Sequence, residues 1–341
     1  MSTWLDFFRL GKTVSFKKID LTDQIKGKRI IITGGMGMLG NAFSLKLAEL
    51  LPDCEFKVLS RKELDVRDKE AVLGWANWLG NGWIIHCAAT VNVEECALNP
   101  FEAERTIVDG TRNIIELSKV TGSRILYPQS FLIYDEIAGF ISEKEDPRPI
   151  SLYGKLKYEA EKLIIAQSEK ALIIRMAGFF GGNHRDKNFV GKIIQHLKKL
   201  IENGQSSICV GDRIWQPTWT NDLAMNSILL MANEEEGIYQ MACQGTASFF
   251  NLTEEIVKIL NWENLIKVIP VSESEISGNE LGKRPSKAEF DCQKLKEKGL
   301  YFQRPWQSAL NEYLQDPYFM LYRNLEDSIQ EEKIHELSIA R

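Results

Sequence analysis

The sequence is poor in the residues that build disulfide frameworks and metal centres. Its 341 residues include six cysteines and four histidines. No two cysteines form a C-x-x-C pair and the histidines show no ligand spacing, so the sequence argues against a zinc site and predicts no bound metal. Scattered cysteines are typical of a protein in a reducing cytoplasm, which is the location that we expect.

Long apolar runs and an excess of positive charge are also missing. No run approaches the roughly 20 apolar residues that cross a bilayer, and the formal net charge is −5. We therefore expect neither a membrane nor a nucleic acid as a partner. A composition of 44% apolar and 26% charged residues is typical of a globular protein with a sizeable core or two joined lobes.

Glycine, by contrast, is concentrated at one informative place. The β-branched run Arg29–Thr33 leads directly into three glycines, and a helical pattern follows. A dinucleotide-phosphate site requires this order, because glycines permit the tight turn and the close approach of a pyrophosphate to the helix N-terminus. We predict cofactor contacts at Gly34, Gly37, Met38, Leu39 and Gly40. The spacing alone is also compatible with an ordinary strand–helix turn.

Strand-like runs alternate with helical patterns through the first half of the chain. The runs lie at Arg29–Thr33, Phe56–Ser60, Trp83–Ala88, Arg124–Pro128 and Ala171–Met176. The helical patterns lie at Leu39–Leu51, Asp68–Leu79, Phe101–Thr121 and Leu152–Gln167. This alternation predicts an α/β fold of Rossmann type, with a doubly wound parallel sheet between two helical layers. Ligands of such sheets bind beyond the carboxyl ends of the strands.

The second half is less regular and predicts a smaller C-terminal substrate-binding lobe. Helical patterns occur at Asn188–Ile201 and Phe249–Leu260, among loops rich in Gly, Pro and Ser. We predict an N-terminal extension (1–27), a nucleotide-binding domain (28–178, with segments near 208–245 returning to it), a substrate-binding lobe (179–207 and 246–316) and a tail (317–341). A docked helix and disorder both remain open for the end of the tail.

The second strand ends in Ser60 and Arg61, where the adenosine ribose of a dinucleotide would lie. An Asp or Glu usually holds a ribose that lacks a 2′-phosphate. Arg61 instead offers a charged planar fork to a phosphate, and Ser60 offers a hydroxyl. This favours NADP, whereas Glu63 keeps NAD possible, and a solvated basic turn is the alternative. At the next turn, Asp65 and Val66 would place a carboxylate near the adenine amino group.

Three side chains are candidates for catalysis. Ser130 follows the fourth strand, where a hydroxyl can hold a substrate carbonyl oxygen. Tyr153 and Lys157 lie four residues apart on a predicted helix and therefore share a face. A free phenol has a pKa of about 10. A nearby ammonium and an oxidised nicotinamide favour phenolate, which brings Tyr153 toward the range of general acid–base catalysis. Lys157 could also hydrogen-bond the nicotinamide ribose.

A second pair, Tyr158 and Lys162, has the same spacing. At roughly 3.6 residues per turn, five residues rotate Tyr158 about 140° away from Tyr153, so both pairs cannot face one cofactor. Pro149 and Ser151 indicate a helix start just before Tyr153, which places that residue close to the strand ends. We therefore choose the first pair and expect the second to pack or to face solvent.

Together these motifs resemble the extended short-chain dehydrogenase/reductase family, through Thr33 to Gly40, Ser130, and Tyr-x-x-x-Lys at 153 and 157. Within that family the chain is similar to the dTDP-4-dehydrorhamnose reductase branch. The matching segments run in order over about residues 28 to 315: His86–Ala89, Gly110–Asn113, Ser130–Asp135, Asn188–Val190, Asp212, Gln216–Thr218, Asp222–Ala224, Gly237–Tyr239, Arg284–Pro285, Asp291, Lys294–Leu295 and Pro305–Trp306.

The resemblance implies NADPH-dependent reduction of a 4-keto sugar that is attached to a nucleoside diphosphate. It implies that Tyr153 donates the proton to the C4 carbonyl oxygen, Ser130 hydrogen-bonds that oxygen, and Lys157 holds the ribose. It adds cofactor contacts at Cys87, Ala88 and Ala89, and sugar-nucleotide contacts at Val91, Ser130, Gly178, Asn188, Gln216 and Arg284. A diphosphate clamp at Arg284 agrees with its charge, and a surface arginine beside a proline is the alternative.

Three positions depart from the branch. Ile107 replaces an Asn that supports a water network behind the catalytic Lys, which puts a proton relay in question. Thr90 and Val91 stand where the branch has Tyr-Thr, and Gly178 stands where it has a Trp near the sugar. The loss of that aromatic wall predicts a sugar that differs from 4-dehydrorhamnose or sits differently.

The leading interpretation is a nucleotide-sugar 4-ketoreductase of deoxysugar biosynthesis, with a homodimer expected from the family. A nucleotide-sugar epimerase of the same fold is the second, and net consumption of NADPH separates the two. A 4,6-dehydratase is disfavoured because Phe131 occupies the place of the required acidic residue. The third interpretation is a non-catalytic regulatory subunit that keeps the cofactor site. The intact Ser130, Tyr153 and Lys157 argue against it, whereas Ile107 and Gly178 leave it open.

Overall fold

The computed structural model describes residues 25, 27–135, 139–168, 170–272, 275 and 283–325. The described residues form twelve strands: β1 (Ile30–Thr33), β2 (Phe56–Leu59), β3 (Trp83–His86), β4 (Arg124–Ser130), β5 (Ala171–Met176), β6 (Phe179–Phe180), β7 (Ser207–Gly211), β8 (Ile214–Trp215), β9 (Thr218–Trp219), β10 (Gly237–Met241), β11 (Ala247–Ser248) and β12 (Lys267–Val271).

The helices of the same residues are α1 (Met38–Leu50), α2 (Lys69–Leu73), α3 (Ala76–Leu79), α4 (Val93–Leu98), α5 (Pro100–Glu104), α6 (Gly110–Thr121), α7 (Leu152–Gln167), α8 (Phe189–Glu202), α9 (Thr220–Ala232), α10 (Phe249–Ile259), α11 (Gln293–Glu297), α12 (Trp306–Leu314) and α13 (Met320–Arg323). Single 3₁₀ turns lie at Phe131–Ile133, Asn183–Arg185 and Pro317–Phe319, and a π-helical turn spans Arg105–Asp109.

Six strands form one parallel sheet in the order β2-β1-β3-β4-β5-β10. Alternate residues of a strand face opposite sides of a sheet. Ile30 and Ile32 accordingly pack into one buried cluster with residues of α1 and α9, whereas Ile31 packs into another with residues of α6 and α7. The prediction of a doubly wound α/β sheet between two helical layers is confirmed.

The strand order reverses beside β1, which lies between β2 and β3. A crevice opens at such a reversal, outside the carboxyl ends of the strands, and ligands of open α/β sheets bind there. The last residues of the two strands, Thr33 and His86, are paired in register. The glycine turn that follows Thr33 therefore stands at the ligand-binding edge of the sheet.

The remaining strands form three two-stranded pairs, β7 with β12, β8 with β11, and β6 with β9. A separate buried cluster draws its residues from α8, α10 and α12. Of the segments predicted to return to the nucleotide-binding domain, β10 joins the central sheet, whereas β7 pairs outside it. The domain division itself stays a prediction, and the proposed helix of the tail falls almost wholly outside the described residues.

Two predicted helices are interrupted. The pattern at Asp68–Leu79 forms two helices, because Gly74 is the C-cap of α2. Asp68 caps the start of α2 by accepting a hydrogen bond from Ala71 N. The pattern at Phe101–Thr121 contains the π-helical turn between α5 and α6. Turns of this kind occur often at functional sites, and this one contains Ile107.

Candidate active site

The glycine turn is tightly packed against the segment that follows β3. Gly34 has φ +62°, and a Cβ at this position would lie 2.7 Å from Ala88 N. A Cβ on Gly40 would lie 2.6 Å from Gly34 O, so glycine lets α1 approach the strand end. The N-cap of α1, Gly37, offers no side-chain acceptor. The first amide groups of this 13-residue helix can therefore receive an anion such as a pyrophosphate, which fits a dinucleotide cofactor.

A buried polar bridge fixes the ends of β1 and β3 behind this turn. Thr33 Oγ1 lies 2.8 Å from His86 Nδ1, and His86 Nε2 lies 3.2 Å from Thr111 Oγ1. Thr33 Oγ1 also accepts a hydrogen bond from Ala88 N at 3.2 Å. Burial lowers the pKa of His86 to about 3, so the imidazole is neutral. Neither Thr33 nor Thr111 was named as a site residue from the sequence. A hydroxyl at a strand end was the available signal for Thr33, whereas Thr111 lies in α6 and offers no such signal.

In the basic turn after β2, Asp65 pairs closely with Arg67 and only loosely with Arg61. Arg61 is 70% exposed, and its Nε lies 3.7 Å from Asp65 Oδ2. Asp65 accepts hydrogen bonds from Arg67, including one of 2.9 Å from Nε, and these bonds lower its pKa to about 2. Its carboxylate is therefore engaged by Arg67, which the sequence did not single out. An adenine contact by Asp65 stays a prediction, as does one at Val66, whose side chain is buried.

The hydroxyl of Ser130 and the phenol of Tyr153 meet at the carboxyl end of β4. Ser130 Oγ accepts a hydrogen bond from Leu132 N at 3.2 Å. Burial raises the pKa of Tyr153, and the nearby Ser130 lowers it in part. In this structure the phenol therefore does not have the lowered pKa that the sequence predicts. Tyr153 lies in the first turn of α7, which Ser151 caps by accepting a hydrogen bond from Gly154 N. The predicted bounds of this helix, Leu152–Gln167, are confirmed.

Gly154 lets the first turn of α7 lie against the backbone that follows Ser130. A Cβ at this position would overlap Leu132 O and would come within 3.0 Å of Pro149 Cβ. Any other residue would push the turn away from the strand end. The sequence Tyr153-Gly154 thus combines the candidate catalytic phenol with the residue that lets it approach the serine.

Lys157 lies one turn further along α7 and is 4% exposed. Its Nζ donates a hydrogen bond to Pro128 O at 2.8 Å and stands 3.8 Å from the ring centroid of Tyr127. Burial lowers the pKa of Lys157 to about 7. The second pair behaves differently, because Lys162 is about half exposed and its Nζ lies 2.7 Å from Glu159 Oε2.

A buried ion pair supports this helix from within the sheet. Glu161, on α7, pairs with Arg175 of β5, and their side chains are 0% and 4% exposed. Gln129 Nε2 donates to Glu161 Oε2 at 2.9 Å and to Lys157 O at 3.0 Å. Arg175 also donates to the Tyr134 hydroxyl at 2.6 Å. The network joins α7 to β4 and β5, and sequence reasoning missed it.

The predicted substrate residues have defined partners. Asn188 Nδ2 donates to Phe179 O at 2.9 Å. Gln216 is bonded at both ends of its amide to the backbone of Phe290. Arg284 Nη2 lies 2.7 Å from Glu94 Oε1 and so joins the segment after residue 283 to α4. A substrate contact at each of these positions stays a prediction.

Gly178 lies two residues beyond β5 and is covered by an aromatic ring. A Cβ at this position would overlap Cε3 and Cζ3 of Trp215. Trp215 is 7% exposed and makes edge contacts with Phe189 and Phe249, which stack on each other at 4.0 Å. The ring of Trp215, from β8, therefore occupies the space beside position 178. The effect of the missing aromatic wall on the sugar stays a prediction.

Two further positions that the sequence analysis singled out are Val91 and Ile107. Val91, a predicted substrate contact, is 63% exposed. Ile107 is buried, and its carbonyl accepts a hydrogen bond from the Thr111 hydroxyl. Its apolar side chain offers no hydrogen bond where the family resemblance implies an Asn.

Within the described ranges, no group of three or more His, Cys, Asp or Glu side chains is arranged to hold a metal ion. None of the helices of these residues is long and apolar enough to cross a membrane.

The glycine turn lies at the switch point of a parallel sheet, and Ser130, Tyr153 and Lys157 lie at the end of β4 and on α7. This arrangement is that of an oxidoreductase of the short-chain dehydrogenase/reductase type. The chain belongs to the RmlD substrate binding domain family, whose model matches residues 28–319. The family resemblance that the motifs indicated is thereby confirmed.

Individual proteins show the same relationship. The dTDP-4-dehydrorhamnose reductase of Aggregatibacter actinomycetemcomitans is 28% identical over 296 residues, which cover 83% of this chain and 97% of that protein. The methionine adenosyltransferase 2 subunit beta of Mus musculus is 24% identical over 314 residues, with coverages of 85% and 88%. The crystal structure of dTDP-4-dehydrorhamnose reductase from Bacillus anthracis in complex with NADP is similar with a TM-score of 0.74 at 26% identity, covering 85% of this chain and 99% of that one.

Proposed function

We propose that this protein reduces the C4 keto group of a nucleotide-linked 4-keto-6-deoxysugar, with dTDP as the nucleotide and NADPH as the hydride source. The observation that carries the proposal is the placement of three side chains. Ser130 ends β4, Tyr153 lies in the first turn of α7, which packs on the backbone that follows Ser130, and Lys157 lies one turn further along. The similarity to two dTDP-4-dehydrorhamnose reductases supports the substrate class.

Each residue of the trio has a distinct task. Ser130 Oγ donates a hydrogen bond to the carbonyl oxygen and so stabilises the negative charge that develops on it. The Tyr153 phenol donates its proton to that oxygen while hydride reaches the carbon. NADPH supplies the hydride, and the protein supplies position and charge stabilisation. The Lys157 ammonium favours the phenolate that remains on Tyr153.

The chain's own residues also fit the cofactor. The uncapped N-terminus of α1 suits its pyrophosphate, and the exposed Arg61 suits a 2′-phosphate. The NADP complex of the Bacillus anthracis relative supports the same preference, and NAD remains the weaker candidate. On the substrate side we propose Val91, Asn188, Gln216 and Arg284 as sugar-nucleotide contacts.

The test uses purified protein, NADPH and a panel of nucleotide-linked 4-keto-6-deoxysugars, with loss of reduced nicotinamide as the signal. We expect Tyr153→Phe to lower kcat by about 10²–10⁴, the usual contribution of general acid catalysis. Its binding of NADPH should stay within about threefold of that of the unchanged protein, because the uncapped end of α1 is intact. Tyr158→Phe is the matched control, since it removes a phenol from the same helix, and it should keep near-normal turnover. A Tyr153→Phe variant with the rate of the unchanged protein would refute the proposed role.

A second candidate is a non-catalytic subunit that binds the cofactor and a partner enzyme. The similarity to methionine adenosyltransferase 2 subunit beta favours it. It predicts no turnover across the whole panel together with a stable complex with another protein. An epimerase would instead interconvert sugars with no net consumption of NADPH.

A further inference from the structure

Lys157 lies on the face of the Tyr127 ring, a side chain that has no role in the proposed reaction. Its Nζ is 3.8 Å from the ring centroid of Tyr127, and it donates to the carbonyl of the next residue, Pro128, at 2.8 Å. Both side chains are buried. A cation over a ring face is attracted by the ring quadrupole, and the attraction is stronger where water is excluded.

Tyr127 contacts Lys157 through its ring and not through its hydroxyl. The hydroxyl is buried and makes no well-formed hydrogen bond with the described residues. On another side the ring lies 5.9 Å from the imidazole of His86, which is neutral. The ring thus touches Lys157 through its π face and also lies near the neutral imidazole.

No carboxylate of the described residues forms an ion pair with this ammonium, although the charge of Glu161 favours its protonated form. Glu161 lies on the same helix, and its carboxylate is taken up by Arg175 and Gln129. Cys87, after β3, is a thiol whose pKa burial raises to about 12. Ile107 lies in the same buried cluster as Tyr127 and offers only an apolar side chain. The ring face and the Pro128 carbonyl are therefore the close contacts that favour the charged amine.

We propose that Tyr127 is a positioning residue that holds the Lys157 ammonium at the carboxyl end of β4, from which it acts on the phenol of Tyr153. The proposal rests on the proposed function, because it concerns the same site. An apolar side chain at position 127 would leave the ammonium with the Pro128 carbonyl alone. Lys157 would then lose its proton at lower pH and stop favouring the phenolate.

The experiment compares Tyr127→Phe, which keeps the ring, with Tyr127→Leu and Tyr127→Met, which remove it. The charge on Lys157 is followed by NMR in protein that carries ¹³C at lysine Cε, with the signal assigned by Lys157→Met. The pH dependence of kcat is measured on the same variants. We expect Tyr127→Phe to match the unchanged protein. Both aliphatic variants should lower the pKa of Lys157 by about one unit and move the alkaline fall of kcat down by the same amount.

Two outcomes overturn the inference. One is an aliphatic variant that folds, binds NADPH and titrates Lys157 as the unchanged protein does. The other is Tyr127→Phe behaving like the aliphatic variants, which would assign the effect to the hydroxyl. Met serves as a second aliphatic probe because it adapts to irregular space if Leu does not fold. Failure of the proposed function is recognised separately, as absence of turnover in the unchanged protein, and the Lys157 titration then still decides the ring contact.

Discussion

The six-membered ring of Trp215 occupies the space that a side chain on Gly178 would need. The two residues are far apart in sequence, and the overlap involves Cε3 and Cζ3 of the indole. Thr218 N also donates to Gly178 O at 3.0 Å, so the strand that follows Trp215 is bonded to the same residue. The indole of β8 thus fills the space beside position 178, and the two positions are sterically coupled.

This coupling predicts non-additive effects on stability. Gly178→Trp alone should lower the free energy of unfolding by about 1–3 kcal/mol or more, because it overpacks a filled site. Trp215→Ala alone should cost about 3–5 kcal/mol through the cavity that it leaves. The double variant should cost less than the sum, because each change makes room for or refills the other. Urea unfolding of the four proteins measures the interaction term, and simple additivity would contradict the coupling.

The close approach of α7 to the end of β4 depends on Gly154. Gly154→Ala should shift the first turn of the helix, because the added methyl group overlaps Leu132 O. We expect kcat to fall by about 10²-fold, since misplacement of a reacting group by roughly 1 Å has that effect. Gly74→Ala is the control, because its methyl group would stay 3.4 Å from the nearest atoms. Equal activity of the two variants would contradict the argument.

Local patterns in the sequence were sufficient for the sheet, the glycine turn and α7. The buried strands are apolar runs in the sequence, and Ser151 indicates the start of α7 because its hydroxyl can cap a helix. Contacts between distant residues were beyond such patterns. Neither the position of Trp215 against Gly178 nor the bonding of Gln216 to the backbone of Phe290 follows from periodicity, because each depends on how distant segments meet in space. The interruption at Gly74 was visible in the sequence, where glycine disfavours helix.

The basic turn after β2 predicts the choice between the two nicotinamide cofactors. Arg61 is mostly exposed, and its contact with Asp65 is long, so its guanidinium can reorient toward a 2′-phosphate. We expect Arg61→Ala to raise the KM for NADPH by about tenfold, since a charge-assisted hydrogen bond of ~1.5 kcal/mol is lost. The KM for NADH should stay unchanged, because NADH lacks that phosphate. Steady-state kinetics with both cofactors tests this, and an equal loss for both would remove Arg61 from cofactor selection.

The ion pair of Glu161 and Arg175 should be more costly to break than to replace. Arg175→Met leaves a buried carboxylate without its cation and should cost about 3–5 kcal/mol of unfolding free energy. The double variant with Glu161→Leu removes both charges and should recover most of that loss. Urea unfolding at neutral pH measures both. A double variant as unstable as Arg175→Met would show that the pair contributes more than mutual neutralisation.

Asp186 predicts a dependence of stability on pH. It is 9% exposed and accepts hydrogen bonds from Gly181 N and Asn188 N, each at 3.0 Å. Burial nevertheless raises its pKa to about 6, above the value of about 3.9 for an unfolded Asp. The folded state therefore binds more protons between pH 4 and pH 6. The contribution of this group to the free energy of unfolding is therefore complete below pH 4 and is lost as the pH rises through 6, above which it stays constant.

Urea unfolding across pH 4 to 8 should show a fall of about 1–3 kcal/mol in the free energy of unfolding of the unchanged protein, relative to Asp186→Asn, which cannot titrate. Parallel pH profiles of the two proteins would show that Asp186 keeps an ordinary pKa in the fold.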